Sequence, residues 1–226
     1  IESLLKSLPG VSSNNELSNQ YSVRGGSFDE NLIYVNGIEI YKSFLTKSAQ
    51  QEGLSFINPK LTSSVKFFAG GFEAKYGDKL SSVLDVKYKE PKKNKKSFSA
   101  SLMGTNFVAE GNAKNYRLSY IIGHRYKTNQ FLIKSLDLNA NYVPKIHDFQ
   151  AFITYQINPE LQLNFLGYHS NNKYEMTPES RETQFGTATE SLQLNVYFDG
   201  QEIDKFKTTL GALSLNFKAS EKAKIK

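Results

Sequence analysis

Residues 149–166 read Phe149-Gln150-Ala151-Phe152-Ile153-Thr154-Tyr155-Gln156-Ile157-Asn158-Pro159-Glu160-Leu161-Gln162-Leu163-Asn164-Phe165-Leu166. Phe149, Ala151, Ile153 and Tyr155 alternate with Gln150, Phe152, Thr154 and Gln156, and Leu161, Leu163 and Phe165 alternate with Gln162, Asn164 and Leu166. A period of two sends successive side chains to opposite faces of a strand, so each strand here meets two environments. Asn158-Pro159-Glu160 between them is a turn signal. The stretch predicts a tight antiparallel hairpin with one greasy face and one mainly polar face.

The same texture extends outward. Phe98, Ala100 and Leu102 alternate with serines, and Tyr116, Leu118, Tyr120 and Ile122 alternate with Arg117, Ser119, Ile121 and Gly123. Near the end, Thr209, Gly211, Leu213, Leu215 and Phe217 alternate with Ala212, Ser214, Asn216 and Lys218. Strands are expected at 97–103, 105–111, 115–124, 147–157, 161–170 and 206–218, with Lys222 starting another. Two environments give such a pattern: a soluble sheet on a core, or a membrane barrel with its apolar face toward lipid. Connection lengths favour the barrel. Asn112–Asn115 and Asn158–Glu160 are tight, whereas Arg125 to His147 and Ser170 to about Lys205 are long and polar. Short turns on one rim and long loops on the other are the barrel habit. Leu192 to Phe198 also alternates and reads either as a wall strand or as an arm of an external hairpin.

Composition agrees with this choice. Over 226 residues the hydrophobic share is 39%, the charged share 22% and mean hydropathy −0.47. No apolar run approaches the ~18 residues of a spanning helix, which excludes a helical bundle and leaves a barrel open. Aromatic residues at 13% argue against disorder over most of the length. The absence of Cys removes disulfides, thiolate metal sites and cysteine nucleophiles. A net charge of +6 suits nucleic acid, anionic lipid, an acidic ligand or plain solvated surface.

Upstream, the texture is different. Ile1, Leu4, Leu5 and Leu8 have helical spacing and end at Pro9-Gly10. Strands are expected at Tyr21–Arg24, Leu32–Val35 and Ile38–Ile40, the last two joined by Asn36-Gly37, a common two-residue hairpin turn. A short helix is expected around 50–56, and two more strands at Val65–Phe68 and Val83–Tyr88. This predicts a compact α+β unit over 1–90. Lys87, Lys89, Lys92, Lys93, Lys95 and Lys96 surround Pro91, so 91–96 reads as a linker to the strands of 97–226.

Five ordered pieces of the first unit resemble the plug domain of TonB-dependent outer-membrane receptors of the Bacteroidetes type. They are Leu8-Pro9-Gly10-Val11, Ser22-Val23-Arg24-Gly25-Gly26-Ser27, Leu32-Ile33-Tyr34-Val35-Asn36-Gly37-Ile38, Phe56-Ile57-Asn58-Pro59, and Ala69-Gly70-Gly71-Phe72-Glu73-Ala74-Lys75-Tyr76-Gly77. The resemblance implies an α+β plug seated in an antiparallel transmembrane β-barrel of about 22 strands, of which 97–226 supplies the first six or seven. It implies that the signal sequence, the TonB box and the plug's beginning lie upstream, and that most of the barrel lies downstream. The tight turns would then face the periplasm and the long loops the exterior. Arg24, beside Gly25 and Gly26, is expected to bridge wall carboxylates and hold the plug, while Asn36, Gly37, Gly70, Gly71, Tyr76 and Gly77 complete the plug motif. Two departures stand out: Lys66 and Ala69 replace the family's usual acidic and basic positions, and Leu80-Ser81-Ser82-Val83 replaces a Gly-Gly. Locking bridges from that segment to the wall therefore cannot form as in relatives.

The residues show no nucleophile elbow, P-loop or zinc spacing, so no catalytic or metal site and no cofactor is expected. His124, His147 and His169 are about 22 residues apart, near expected strand ends, and read as rim histidines. The resemblance implies a non-enzymatic receptor of the Gram-negative outer membrane. It would import a siderophore, cobalamin, oligosaccharide or peptide, with TonB, outer-membrane lipid and an external ligand as partners and a surface lipoprotein as a further one. Ligand contacts are not readable beyond candidate apices at Ser27–Asn31 and Tyr41–Lys47. The rivals are a receptor that captures or signals without transport, and a soluble basic β-protein that binds nucleic acid. The second rests on the lysine cluster, which lacks the interleaved aromatics of a single-strand binder, so no nucleic-acid partner is expected.

Overall fold

The computed structural model describes residues 1–13, 20–41, 55–113, 115, 117–128, 140–142, 145–178, 180–187, 190–197, 200, 202–218 and 224–225. The first unit opens with α1 (Glu2–Leu5), followed by β1 (Val11–Ser12) and β2 (Ser22–Val23), which pair with each other. A second sheet holds β3 (Asn31–Val35), β4 (Ile38–Glu39), β5 (Thr62–Phe68) and β6 (Ser82–Tyr88) in the order β4-β3-β6-β5. Strands β3 and β6 run parallel, and both are buried through most of their length. That explains their near-continuous apolar runs, since a parallel strand is covered on both faces. Of the helix expected around 50–56, residues 50–54 lie outside the described residues, and Ser55 and Phe56 are not helical.

Asn36-Gly37 makes the expected turn, with both residues at positive φ (51° and 74°). The turn is docked as well as tight. The Asn36 amide donates to the Val86 carbonyl at 2.8 Å, and the Tyr88 amide donates to Asn36 Oδ1 at 2.9 Å. Asn36→Ala removes an acceptor and leaves a left-handed backbone on a residue that resists it. The expected cost is about 2 kcal/mol, against about 1 for Asn36→Gly, which relieves only the backbone. Hydrogen exchange at the Tyr88 amide checks the order.

The second unit is an eight-stranded antiparallel sheet with a separate two-stranded hairpin. Its strands are β7 (Lys95–Ser101), β8 (Gly104–Ala113), β9 (Leu118–Thr128), β10 (Ala140–Tyr142), β11 (Lys145–Gln156), β12 (Leu161–Pro178), β13 (Arg181–Gly186), β14 (Ser191–Val196), β15 (Glu202–Lys218) and β16 (Lys224–Ile225). The order is β16-β15-β12-β11-β9-β8-β7, and β10 continues the β11 position along β12. Among the described residues β13 and β14 pair only with each other, so the alternating run at 192–196 is a hairpin arm and not a wall strand.

The strands run past their expected ends. Strand β9 continues to Thr128, β12 to Pro178, and β15 begins at Glu202. Eighteen residues of β12 span roughly 60 Å at ~3.3 Å each, far beyond the 9–11 residues that cross a bilayer. The excess lies toward the long connections, where both faces are polar and the period-two hydrophobic signal fades although the pairing continues. Strand β7 likewise begins at Lys95, inside the expected linker.

The two faces differ as the alternation requires. Leu213 is 70% exposed and Phe98 is 68% exposed, and Phe107, Phe149 and Phe165 join them on the outward face. Ile121 and Leu166 are fully buried on the other face, in one core with Val35, Val86, Phe56 and Leu61 of the first unit. The first unit is packed on the inward face of the sheet.

Candidate functional site

Residues 55–58 form an irregular, wholly buried stretch between the described parts of the first unit. Buried backbone carbonyls without a ladder need other partners. Three consecutive ones find them on the sheet. Arg125 Nη2 donates to the Ser55 carbonyl at 2.8 Å, Gln150 Nε2 to the Phe56 carbonyl at 2.6 Å, and Arg125 Nη1 to the Ile57 carbonyl at 3.2 Å. Asn106 Nδ2 then donates to Asn58 Oδ1 at 3.1 Å. The Phe56 ring lies on Tyr168, with centroids 4.4 Å apart. Four neighbouring strands, β8, β9, β11 and β12, thus grip four successive residues.

The register makes the grip. Arg125 stands opposite Asp148, and Gly123 stands opposite Gln150, all with inward parity. Asp148 Oδ2 accepts from Arg125 Nε at 2.6 Å and orients the guanidinium so that its two remaining nitrogens face the Ser55 and Ile57 carbonyls. A fork of rigid donors suits paired carbonyls better than a flexible ammonium would. Tyr88 Oη donates to Gln150 Oε1 at 2.7 Å, fixing the amide so that its nitrogen points at Phe56. Burial pushes the Tyr88 phenol well above its ordinary range, so it remains a donor. Beside them Gly123 leaves room for Leu61: a Cβ there would lie 3.0 Å from Leu61 Cδ2. Gly123→Val is therefore expected to cost about 1–3 kcal/mol of docking, seen as faster proteolysis near residues 55–61.

The residues singled out from the sequence sit elsewhere. Arg24 is exposed at φ 51°, its amide donating to the Gly10 carbonyl at 2.8 Å. Its guanidinium lies against Gly70, where a Cβ would be 3.1 Å from Nη1, and it makes no ion pair with the described strands. Gly25, Gly70 and Gly71 all have positive φ, as turns require. Gly26 is held by close packing, since a Cβ there would strike Ser81 Oγ. Tyr76 is buried and donates to Asp85 Oδ2 at 2.8 Å, beside Tyr34 and Phe68; burial and then that hydrogen bond raise its phenol pKa. Gly77 has open space around it. The motif organises the first unit internally. Phe56-Ile57-Asn58, quoted above only as a family piece, is what touches the sheet.

Of the candidate apices, Phe28–Glu30 forms a short 3-10 turn, while 42–47 lie outside the described residues. In the linker, Asn112 Nδ2 donates to the Lys92 and Pro91 carbonyls at 2.8 and 3.2 Å. The lysines there are mostly exposed. The three histidines lie within strands on the outward face, and His124 and His147 are 6.2 Å apart. No group of three metal-binding side chains occurs among the described residues.

With this geometry in hand, residues 1–82 match a family model described as the TonB-dependent receptor plug domain. Among curated proteins no sequence matches. Similar solved structures include a pyoverdine-bound FpvA of Pseudomonas aeruginosa, 12% identical, covering 98% of this chain and 30% of that one at a TM-score of 0.61. A mutant ferric enterobactin receptor of the same organism, in complex with enterobactin, is 14% identical over 96% of this chain and 44% of that one, at 0.56. The siderophore receptor PirA of Acinetobacter baumannii is 13% identical, with coverage of 96% and 43%, at 0.54. The likeness is one of fold, and the chain spans under half the length of these structures.

Proposed function

We propose that this TonB-dependent receptor chain, a plug domain followed by barrel strands, belongs to an importer of the Gram-negative outer membrane for an extracellular ferric siderophore. One observation carries the reading. The plug segment 55–58 is held on the polar, inward face of a sheet whose outward face is apolar. Exposed Phe and Leu over several adjoining strands form a patch that a soluble protein avoids, which disfavours the nucleic-acid rival. A buried charge pair that grips backbone alone holds a removable stopper, and a pull on the upstream plug segment by TonB would have to overcome it.

The matched structures are receptors of enterobactin and pyoverdine, which supports the siderophore class over cobalamin, oligosaccharide or peptide. One neighbour is a complex of a related receptor with pyocin S2, and a surface lipoprotein draws no such support. A barrel of about 22 strands, the Bacteroidetes type, the division at 1–90, 91–96 and 97–226, and external placement of the long connections and the β13–β14 hairpin belong to the same proposal.

The test is uptake of radio-iron as ferric enterobactin and ferric pyoverdine by cells carrying the full-length protein. Entry that an uncoupler abolishes, and that requires residues 1–90, is expected. Selectivity and energy dependence that survive deletion of 1–90 would contradict the plug assignment. Binding without energised entry would favour the capture-only receptor.

A further inference from the structure

The outward face carries a basic row that the plug and its clamp do not use. Lys145 stands opposite Lys173, and Lys173 opposite Lys205, on three adjoining strands. Lys207 lies two residues along β15 from Lys205, in the row of Tyr126, His147 and Asn171. Lys145, Lys205 and Lys207 are exposed, and Lys173 is half-buried. At ~4.8 Å between strands and ~6.6 Å between rows, the backbone positions of the four lysines fall within a patch of roughly 10 by 7 Å.

Like charges directly opposite each other destabilise a sheet. Among the described residues the carboxylate that touches this row is Glu175, 2.6 Å from Lys173. Among the described residues Lys145, Lys205 and Lys207 form no salt bridge, although Lys145 also acts electrostatically on Glu175, while Asp148, on the same strand as Lys145, faces inward on Arg125. Four lysines against the one carboxylate of Glu175 leave an excess of positive charge that an external anion would offset.

Position selects the anion. Below the row, the same face carries Phe149, Ile153, Phe165, Leu213, Leu215 and Phe217, the band that faces hydrocarbon. Tyr126 and His147, stacked at 4.6 Å, share the row of Lys207 next to the band, at the level where amphipathic rings meet headgroups. We infer that Lys145, Lys173, Lys205 and Lys207 form a docking site for the phosphate of an anionic lipid headgroup whose acyl chains lie on the apolar band below. The inference rests on the membrane-spanning reading of these strands.

Native mass spectrometry of the full-length protein in detergent, with dioleoyl phosphatidylglycerol and dioleoyl phosphatidylcholine as probes, separates headgroup charge from chain burial. Each lysine near an anionic surface is worth roughly fivefold, so the wild type is expected to retain the anionic lipid at least about tenfold better. Replacing the four lysines by Gln (K145Q, K173Q, K205Q, K207Q) is expected to erase that preference and leave phosphatidylcholine retention unchanged. A preference that persists in the fourfold variant, or is absent in the wild type, overturns the inference while the barrel stands. Should the variant fail to fold, the wild type decides: a preference unchanged when salt screens surface charges overturns it. Retention of neither lipid overturns the membrane reading together with this site.

Discussion

Arg125→Ala is expected to release the plug segment 55–58 and leave the strands paired. The substitution removes two hydrogen bonds to backbone carbonyls and strands the buried Asp148 carboxylate. Breaking one side of a buried pair costs about 3–5 kcal/mol. Amide exchange in residues 55–61 of the full-length protein should accelerate by roughly 10²- to 10³-fold, with exchange in β9 and β11 much less affected. The double variant Arg125→Ala with Asp148→Ala should recover part of the loss, because no charge is then left unpaired. Exchange unchanged in Arg125→Ala would mean that the guanidinium does not hold the plug.

Phe56→Ala is the second large effect. Its side chain is 1% exposed and lies on the Tyr168 ring, so truncation loses transfer free energy and opens a cavity between plug and sheet. The expected cost is about 3–5 kcal/mol, against under about 1.5 for Phe56→Leu. Because Arg125 and Phe56 hold the same short stretch, their effects should not add. A double-mutant cycle read by exchange at residues 55–61 is expected to show coupling of about 0.5–3 kcal/mol. Strict additivity would place Phe56 and Arg125 in separate contacts.

What the sequence disclosed depended on contrast between faces. Where one face met an apolar setting, as at Phe149–Gln156 and Leu161–Leu166, alternation located the strands to within about two residues. Where both faces were polar, as at Asn171–Lys173, the pattern vanished and pairing continued unseen. Arg125 fell into that silence. In the sequence it reads as the start of a loop, so its partnership with Asp148 across β9 and β11 is not legible there. The clamp's other half was harder still. Ser55, Phe56 and Ile57 offer backbone carbonyls, which carry no residue signature. Asn36-Gly37 was readable because a left-handed turn demands those residues, whereas the parallel pairing of β3 with β6 depends on residues about fifty apart. Arg24 drew attention through its glycines, but those serve turns and packing, and its guanidinium ends on Gly70. The even spacing of the histidines reflects strands that rise and fall past one level of the sheet.

The plug's seat on the inward face is tested most directly by cross-linking Asn58→Cys to Asn106→Cys with a short bismaleimide in the full-length protein. The side chains of these residues meet at 3.1 Å, and the chain carries no cysteine of its own. Efficient cross-linking at rest, weakened by Arg125→Ala, is the predicted result. No cross-link at this pair, while a control pair at Phe98 and Phe107 on adjoining strands reacts, would contradict it.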